Sequence, residues 1–170
     1  IAVAYARDQR HEEASAAAHL ADAQARLKTL LDRKATTEDY TAKIRLEMGE
    51  AMNEHLAVFR DQQGMTTALA KIGELMERHE KVAVAHKGSV YNTDLIFHIE
   101  LTNMLDASEA ICATGLLRKE SRGAHFRRDM PERNDGDWLL HTTAVRKDGH
   151  AQVGTLPVTI TEHKPVPRVY

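Results

Sequence analysis

The sequence predicts a mainly α fold: an antiparallel helical bundle of three to four helices, followed by a C-terminal β-hairpin and an extended tail. Three observations predict it. Ala, Leu, Lys and Glu are abundant while aromatic residues make up only 5% of the chain, a composition that favours helix. Apolar residues recur at spacings of three and four along several long stretches, the mark of an amphipathic helix. Strand chemistry is confined to the region after Pro131, where two β-type runs flank an Asp148-Gly149 turn signal. At 170 residues the chain is about one domain long and can bury a real core without staples.

From Ser15 to Arg33 the positions Ala16, Leu20, Ala23, Leu27 and Leu30 lie on one helical face. Thr36-Thr37-Glu38-Asp39 offers capping chemistry for a second helix with Ile44, Met48, Met52, Leu56 and Phe59 down one side; Gly49 lowers its propensity. Asp61-Gln62-Gln63-Gly64 breaks the pattern, and a third helix is expected from about Met65 to His79 with Leu69, Ile72 and Met76 in phase. Val82 to His86 reads as an extended connector. The longest helix is expected from about Asp94 to Lys119, with Asn92 or Thr93 as N-cap and Asp94 near the positive helix end. Its apolar residues, among them Leu95, Ile99, Leu101, Leu105, Ile111 and Leu116, cover more than half the circumference, so it is expected at the centre of the bundle. Trp138 to Arg146 and about Ala151 to Ile160 are the expected strands, with Pro157 tolerated best where pairing ends. Pro165 and Pro167 hold the tail extended.

Composition excludes several classes of function. The formal charge of −2 gives no electrostatic case for nucleic-acid binding. No apolar run approaches the roughly 20 residues of a membrane span. The single cysteine, Cys112, permits no internal disulfide; paired with His98 or His125 it would make a nucleophile, but a lone Cys on a helix is ordinarily a small core residue. Ten histidines are present, yet none form a His-Glu-x-x-His pattern or an i, i+4 pair, so scattered surface histidines account for them better than a metal site. No Gly-x-Gly-x-x-Gly, P-loop or Gly-x-Ser-x-Gly element supplies a phosphate cradle or nucleophile.

The stretch Arg118-Lys119-Glu120-Ser121-Arg122-Gly123-Ala124-His125-Phe126-Arg127-Arg128-Asp129-Met130-Pro131 joins the helical part to the hairpin. From Arg118 to Arg133 it carries six Lys/Arg against three Asp/Glu. The plain reading is a solvated connecting loop. The functional readings are a site for an anionic substrate or a polar network, in which Arg118, Arg122 and Arg127 offer planar forks, Glu120 and Asp129 accept them bidentately, and His125 bridges. Without a nucleophile or cofactor motif nearby, the network is the better of the two.

This junction, with Ile44-Arg45, Glu47-Met48-Gly49, Val58-Phe59-Arg60, Tyr91-Asn92-Thr93-Asp94-Leu95, Glu100-Leu101, Trp138, His141-Thr142 and the closing Arg168-Val169-Tyr170, closely resembles the C-terminal domain of succinate dehydrogenase and fumarate reductase flavoprotein subunits. L-aspartate oxidase shares Lys119 to Gly123 but is less similar at Asn92-Thr93-Asp94 and in the hairpin. The resemblance implies a parent subunit whose FAD, covalently attached through a histidine, lies in a preceding flavin-binding domain. That parent interconverts succinate and fumarate and passes electrons to an iron–sulfur subunit, as a peripheral part of a membrane-anchored complex on the cytoplasmic side of the inner membrane.

The start at Ile1, without Met or a capping residue, fits a C-terminal piece of something longer, so residues 1–14 are expected to end a preceding flavin-domain helix and linker, 15–130 to form the helical bundle, and 131–170 the hairpin and tail. No catalytic, cofactor-binding or metal-binding residue is assigned to the segment, and contact with the membrane is expected only through partner subunits. Arg118, Glu120, Ser121, Arg122, His125, Arg127 and Asp129 are expected to form an interdomain polar network. The alternatives are the C-terminal domain of L-aspartate oxidase, or a free-standing module that binds an acidic partner through the basic run 118–133.

Overall fold

The structure, a computed structural model, describes residues 13–162 together with 165 and 166. The expected helix tail at Ile1 to Arg7 and most of the closing tail lie outside the described residues. The element order is α1 (Glu13–Asp32), α2 (Thr41–Leu56), β1 (Phe59–Arg60), α3 (Gln62–His79), α4 (Thr93–Leu117), β2 (Phe126–Arg127), α5 (Asp135–Trp138), β3 (Leu140–Lys147) and β4 (His150–Pro157). This is a helical bundle followed by a β-hairpin.

Helices α2, α3 and α4 enclose the core. Ile44, Met48 and Leu56 from α2 meet Met65, Ala68, Ile72 and Leu75 from α3 and Leu101, Leu105 and Cys112 from α4. The spacing of these residues at three, four, seven and eight is why each segment is helical: only that period brings them onto one face. As expected, α4 is central, packing against both other helices and against the hairpin. It spans 25 residues, about 38 Å at 1.5 Å per residue. Part of its broad apolar surface, Ile96, Phe97 and Ile111, is nevertheless exposed.

The helix starts differ from expectation at two places, each for a local reason. Asp39 does not cap α2, because its carboxylate is taken by the Arg78 guanidinium, Nε at 2.8 Å and Nη2 at 3.0 Å; Tyr40 occupies the N-cap without a side-chain bond. Asp61 begins α3 three residues earlier than expected by accepting the Gly64 N–H at 2.7 Å. Phe59, expected on the buried side of the second helix, is instead 57% exposed in β1, because the chain turns extended at Ala57 and pairs with β2.

Asn92 caps α4. Its Oδ1 accepts the Leu95 N–H at 2.9 Å, and its Nδ2 donates to the His86 and Gly88 carbonyls at 2.8 and 2.9 Å. Asp94 lies near the helix start as expected and also ties down the connector, accepting from the Ala85 and His86 N–H groups. Asn92→Ala removes the cap and both loop bonds, and is expected to cost about 1–2 kcal/mol, read as a lowered urea midpoint of the natural polypeptide.

The first helix departs most from expectation. The stripe of α1 does not enter the core: Leu20 and Leu27 are exposed. Among the described residues, hydrogen bonds fasten its C-terminal end: Arg33 to the His79 and Val82 carbonyls, the Thr36 N–H to the Lys81 carbonyl, and Lys87 to the Leu31 carbonyl.

The hairpin pairs Lys147 with His150 and continues to Leu140 opposite Pro157, so the proline sits where pairing ends. Asp148 and Gly149 both have positive φ, 52° and 85°, the backbone of a type I′ turn that matches strand twist. Trp138 falls in the short helix α5, which Asn134 caps by accepting the Asp137 N–H at 3.1 Å, and this delays β3 to Leu140. Glu109 of α4 anchors β4, accepting from the Ala151 N–H at 2.8 Å and from His150 Nδ1 at 2.9 Å, while Asp106 pairs with Arg146 of β3.

Candidate functional site

Immediately after α4 the chain makes a compact polar knot, not a solvated loop. Arg122 and His125 exchange backbone hydrogen bonds at 2.9 and 3.1 Å around Gly123, whose φ of 59° favours glycine. This brings Phe126–Arg127 beside Phe59–Arg60 as a two-residue parallel pair, with the two phenyl rings edge to face at 5.5 Å.

Glu120 and Arg127 are the two centres of the knot, and both are fully buried. Glu120 accepts four bonds: from Arg118 Nη1 at 2.5 Å, Arg122 Nε at 2.7 Å, Arg122 Nη2 at 3.0 Å and the Asn134 N–H at 2.7 Å. Burial pushes its carboxyl up, but the Arg122 guanidinium, the Asn134 amide and Arg118 outweigh that and hold it below its usual range. Arg127 grips Asp129 with Nε at 3.0 Å and Nη2 at 2.6 Å, and donates to the Arg118 carbonyl at 2.8 Å and Gln62 Oε1 at 3.1 Å. Asp129 is correspondingly lowered to about 2.

The other expected members take their places around these centres. Ser121 Oγ accepts the Arg127 N–H at 2.8 Å and donates to the Met130 carbonyl at 2.8 Å. Arg118 reaches across to the Trp138 and Leu140 carbonyls at 3.0 and 2.5 Å and lies 5.5 Å from the centre of the Trp138 ring. Arg60 Nη1 donates to His125 Nδ1 at 3.0 Å, which puts the ring proton on Nε2. That Nε2 is buried and has no partner among the described residues. Burial, followed by Arg60, Arg127 and Arg118, pushes the His125 imidazole down to about 4, so it is neutral at physiological pH.

All seven expected residues thus converge on one cluster. Arg60, Gln62, Asn134, Asp135 and Trp138 belong to it and were not expected. Asn134 carried a signal, since Asn-Asp-Gly-Asp is helix-start chemistry; Arg60 and Gln62 meet the junction only through the fold. The cluster's hydrogen bonds among the described residues run within the chain.

The chemistry available here is fastening. The buried carboxylate is fully paired, the histidine is neutral and flanked by guanidiniums, and the Arg133 guanidinium is occupied by Asp135. Little of the basic run is left for an acidic partner: Lys119 donates to Gln62, and Arg128 lies 5.2 Å from the centre of the Phe59 ring. Cys112 is buried in the core with its thiol pushed up to about 11 by burial, which leaves no thiolate for nucleophilic chemistry. Among the described residues no group of three or more His, Cys, Asp or Glu is placed to hold a metal ion. No helix among them is long and apolar enough to cross a membrane.

Two open surface grooves are present among the described residues, one lined by Ala42, Arg45, Leu46, Gly49, Glu50 and Asn53 of α2 and one by Lys28, Thr29, Asp32 and Arg33. Neither encloses a ring system or sets a glycine-rich turn at a helix N-terminus for a pyrophosphate.

A helical bundle and a β-hairpin are thus joined through a knot of buried ion pairs. A family model described as the C-terminal part of the fumarate reductase flavoprotein matches residues 45–170, and the chain belongs to that family. It is 41% identical over 150 residues to the fumarate reductase flavoprotein subunit of Haemophilus influenzae, covering 88% of this chain and 25% of the relative. It is 36% identical over 130 residues to the succinate dehydrogenase flavoprotein subunit of Rickettsia felis, covering 76% and 22%.

The fold is similar to that of an Escherichia coli quinol fumarate reductase chain, with a TM-score of 0.89 and 38% identity, over 97% of this chain and 28% of that one. The chain therefore spans about a quarter of the length of these relatives. These likenesses favour the succinate dehydrogenase and fumarate reductase family over L-aspartate oxidase and over a free-standing module.

Proposed function

We propose that this chain is the structural and docking domain of a flavoprotein subunit that interconverts succinate and fumarate and passes electrons to an iron–sulfur subunit. The observation that carries the reading is the family match across residues 45–170. FAD belongs, in this reading, to the preceding flavin-binding domain of the same subunit, and this segment contributes no catalytic or cofactor-binding residue. Residues 1–14 lead in from that domain, 15–130 form the bundle, and 131–170 supply the hairpin and tail.

The network of Arg118, Glu120, Ser121, Arg122, His125, Arg127 and Asp129 fixes the end of α4 against the hairpin and presents that end to the flavin domain. The unpartnered His125 Nε2 supports such an outward role, because a buried donor ordinarily finds an acceptor. The subunit is peripheral, on the cytoplasmic side of the inner membrane, and meets the membrane through its partner subunits; no nucleic acid takes part.

The test is to purify the natural polypeptide that carries this chain, measure flavin remaining after denaturation, and assay succinate-dependent dye reduction and fumarate-dependent oxidation of a reduced dye. Bound flavin with turnover of either dicarboxylate is expected. A polypeptide free of flavin and inactive on both overturns the reading.

A further inference from the structure

The chain holds two Asp-Gly steps, Asp135-Gly136 and Asp148-Gly149, and the fold treats them in opposite ways. The amide nitrogen that follows an aspartate can attack that aspartate's own carboxyl carbon, and a glycine leaves the nitrogen unobstructed because it carries no Cβ. Closing the five-membered ring requires the nitrogen to eclipse Cβ about the Cα–C bond. For an L-residue that means ψ of about −120°, the value at the first central position of a type II′ turn.

At Asp135 the fold blocks this. The residue opens α5, where ψ is about −40°, and the Trp138 N–H bonds the Asn134 carbonyl across it at 3.0 Å. Both carboxylate oxygens are occupied, Oδ1 by Arg122 Nη2 at 2.6 Å and Arg133 Nε at 2.7 Å, and Oδ2 by Arg133 Nη2 at 2.5 Å. Arg133 and then Arg122 hold the group down at about 2, and an ionised carboxylate has no hydroxyl to release.

Asp148 is placed the other way. It is exposed at the tip of the hairpin, with φ of 52°, and φ of Gly149 is 85°. Rotating only the peptide plane between the two converts the type I′ turn to type II′: φ of Asp148 stays positive while its ψ moves from about +30° to about −120°. Gly149 swings to a negative φ, which glycine adopts as readily. The strands stay in place, because the flipped peptide lies inside the flanking pair of Lys147 with His150. The ion pairs of the hairpin with α4 are Arg146 with Asp106 and His150 with Glu109, and none among the described residues holds the Asp148 carboxylate.

We propose that Asp148 is a site of spontaneous modification in the folded protein, converting to isoaspartate through a succinimide, while Asp135 is protected. The steps balance with water alone. The Gly149 nitrogen bonds to Asp148 Cγ, the C–OH bond of the carboxyl breaks, and the proton of the nitrogen leaves with that hydroxyl as water. Water then adds to one ring carbonyl. Breaking the bond between the nitrogen and Cγ restores aspartate; breaking the bond between the nitrogen and the main-chain carbonyl carbon of Asp148 gives isoaspartate, whose main chain runs through Cβ and Cγ. The turn is then longer by a methylene. It adjoins the anchor of β4, where Glu109 accepts from His150 and the Ala151 N–H, so the change loosens the hold of the hairpin on α4.

The test ages the complete natural polypeptide that carries this chain in mildly acidic buffer, folded and, in parallel, unfolded in urea. Peptide mapping with electron-transfer fragmentation counts isoaspartate at each site. Labelled methyl groups passed from S-adenosylmethionine by an isoaspartyl methyltransferase count the total. The folded protein is expected to form isoaspartate at Asp148 at least about tenfold faster than at Asp135, and the unfolded chain to form it at the two sites within about twofold. Equal rates in the folded protein overturn the proposal. So does a folded protein that forms none at Asp148 while the unfolded chain does. A tenfold ratio that persists in urea overturns it as well, since flanking sequence and not the turn would then set the rate.

Discussion

Glu120→Ala is expected to destabilise the domain by about 3–5 kcal/mol, the loss seen when one partner of a buried ion pair is removed. The effect is large because of what is left behind, not because the pair is strong. Glu120 is fully buried and receives four donors, three of them from Arg118 and Arg122. Without it, two guanidiniums face each other and the Asn134 N–H loses its acceptor, at the place where α4 hands the chain to the hairpin.

The exposed neighbour sets the scale. Asp135, whose side chain is 41% exposed, also pairs with Arg122, yet Asp135→Ala should cost no more than about 1 kcal/mol, because water and salt screen that pair. Glu120→Gln keeps the shape and some of the bonds and should fall between the two. Urea unfolding of the natural polypeptide, followed by far-UV circular dichroism, measures all three. Equal midpoints for the Glu120→Ala and Asp135→Ala variants would show that the knot is not a buried structural element.

How much of this was legible in the sequence depended on whether the determining interaction was local. Asn92, Asp148 and Gly149 act on residues within six positions, so the start of α4 and the hairpin turn could be read directly. The parallel pairing of Phe59–Arg60 with Phe126–Arg127 joins residues 67 apart through two positions each, and such a pairing leaves no periodic trace. Phe59 even continues the helical phase of Ile44, Met48, Met52 and Leu56, and only tertiary pairing takes it out of the helix. The stripe of α1 was found correctly by its period, but periodicity says that a face is apolar and not what covers it.

The junction misleads in another way. Six basic and three acidic residues in one run look solvated, and nothing local distinguishes Glu120 or Arg127, both fully buried, from the exposed Arg128. Their partners Asn134 and Gln62 arrive from elsewhere in the chain. The residue types nevertheless carried the chemistry, since arginine forks and carboxylates in such numbers pair wherever the fold brings them together.

Acidification should loosen the bundle before it reaches any carboxylate, through His79 and His98. Their rings stack at 4.1 Å between the end of α3 and the start of α4, and both are buried. His79 Nε2 donates toward the His98 carbonyl at 3.2 Å and Thr102 Oγ1 at 3.0 Å, which leaves Nδ1 as an unprotonated acceptor in the core. A second proton on Nδ1 would find no partner, because both Nδ1 atoms are buried without one.

The surrounding charges agree in sign. Burial, then the neighbouring His98, pushes His79 down to about 4, with Arg33 adding to the shift; burial and Arg33 lower His98 against a weaker pull from Asp94. Folded values below the ordinary 6.5 mean that the unfolded chain binds more protons, so stability is complete above about pH 6.5 and is lost as pH falls toward 4. At pH 5 His79 alone should account for about 2 kcal/mol. Glu47, Asp129 and Asp135, held near 2 by arginine and lysine partners, lose their contribution only below about pH 4.

His79→Gln keeps a donor near Thr102 and removes the titration. It should therefore lessen the fall in melting temperature between pH 6.5 and 4.5, with His98 and His125 keeping their share, while leaving the drop below pH 4 in place. The same slope in both proteins would mean that the buried pair does not titrate on unfolding, and that acid acts first on the carboxylate pairs that join α2 to α3.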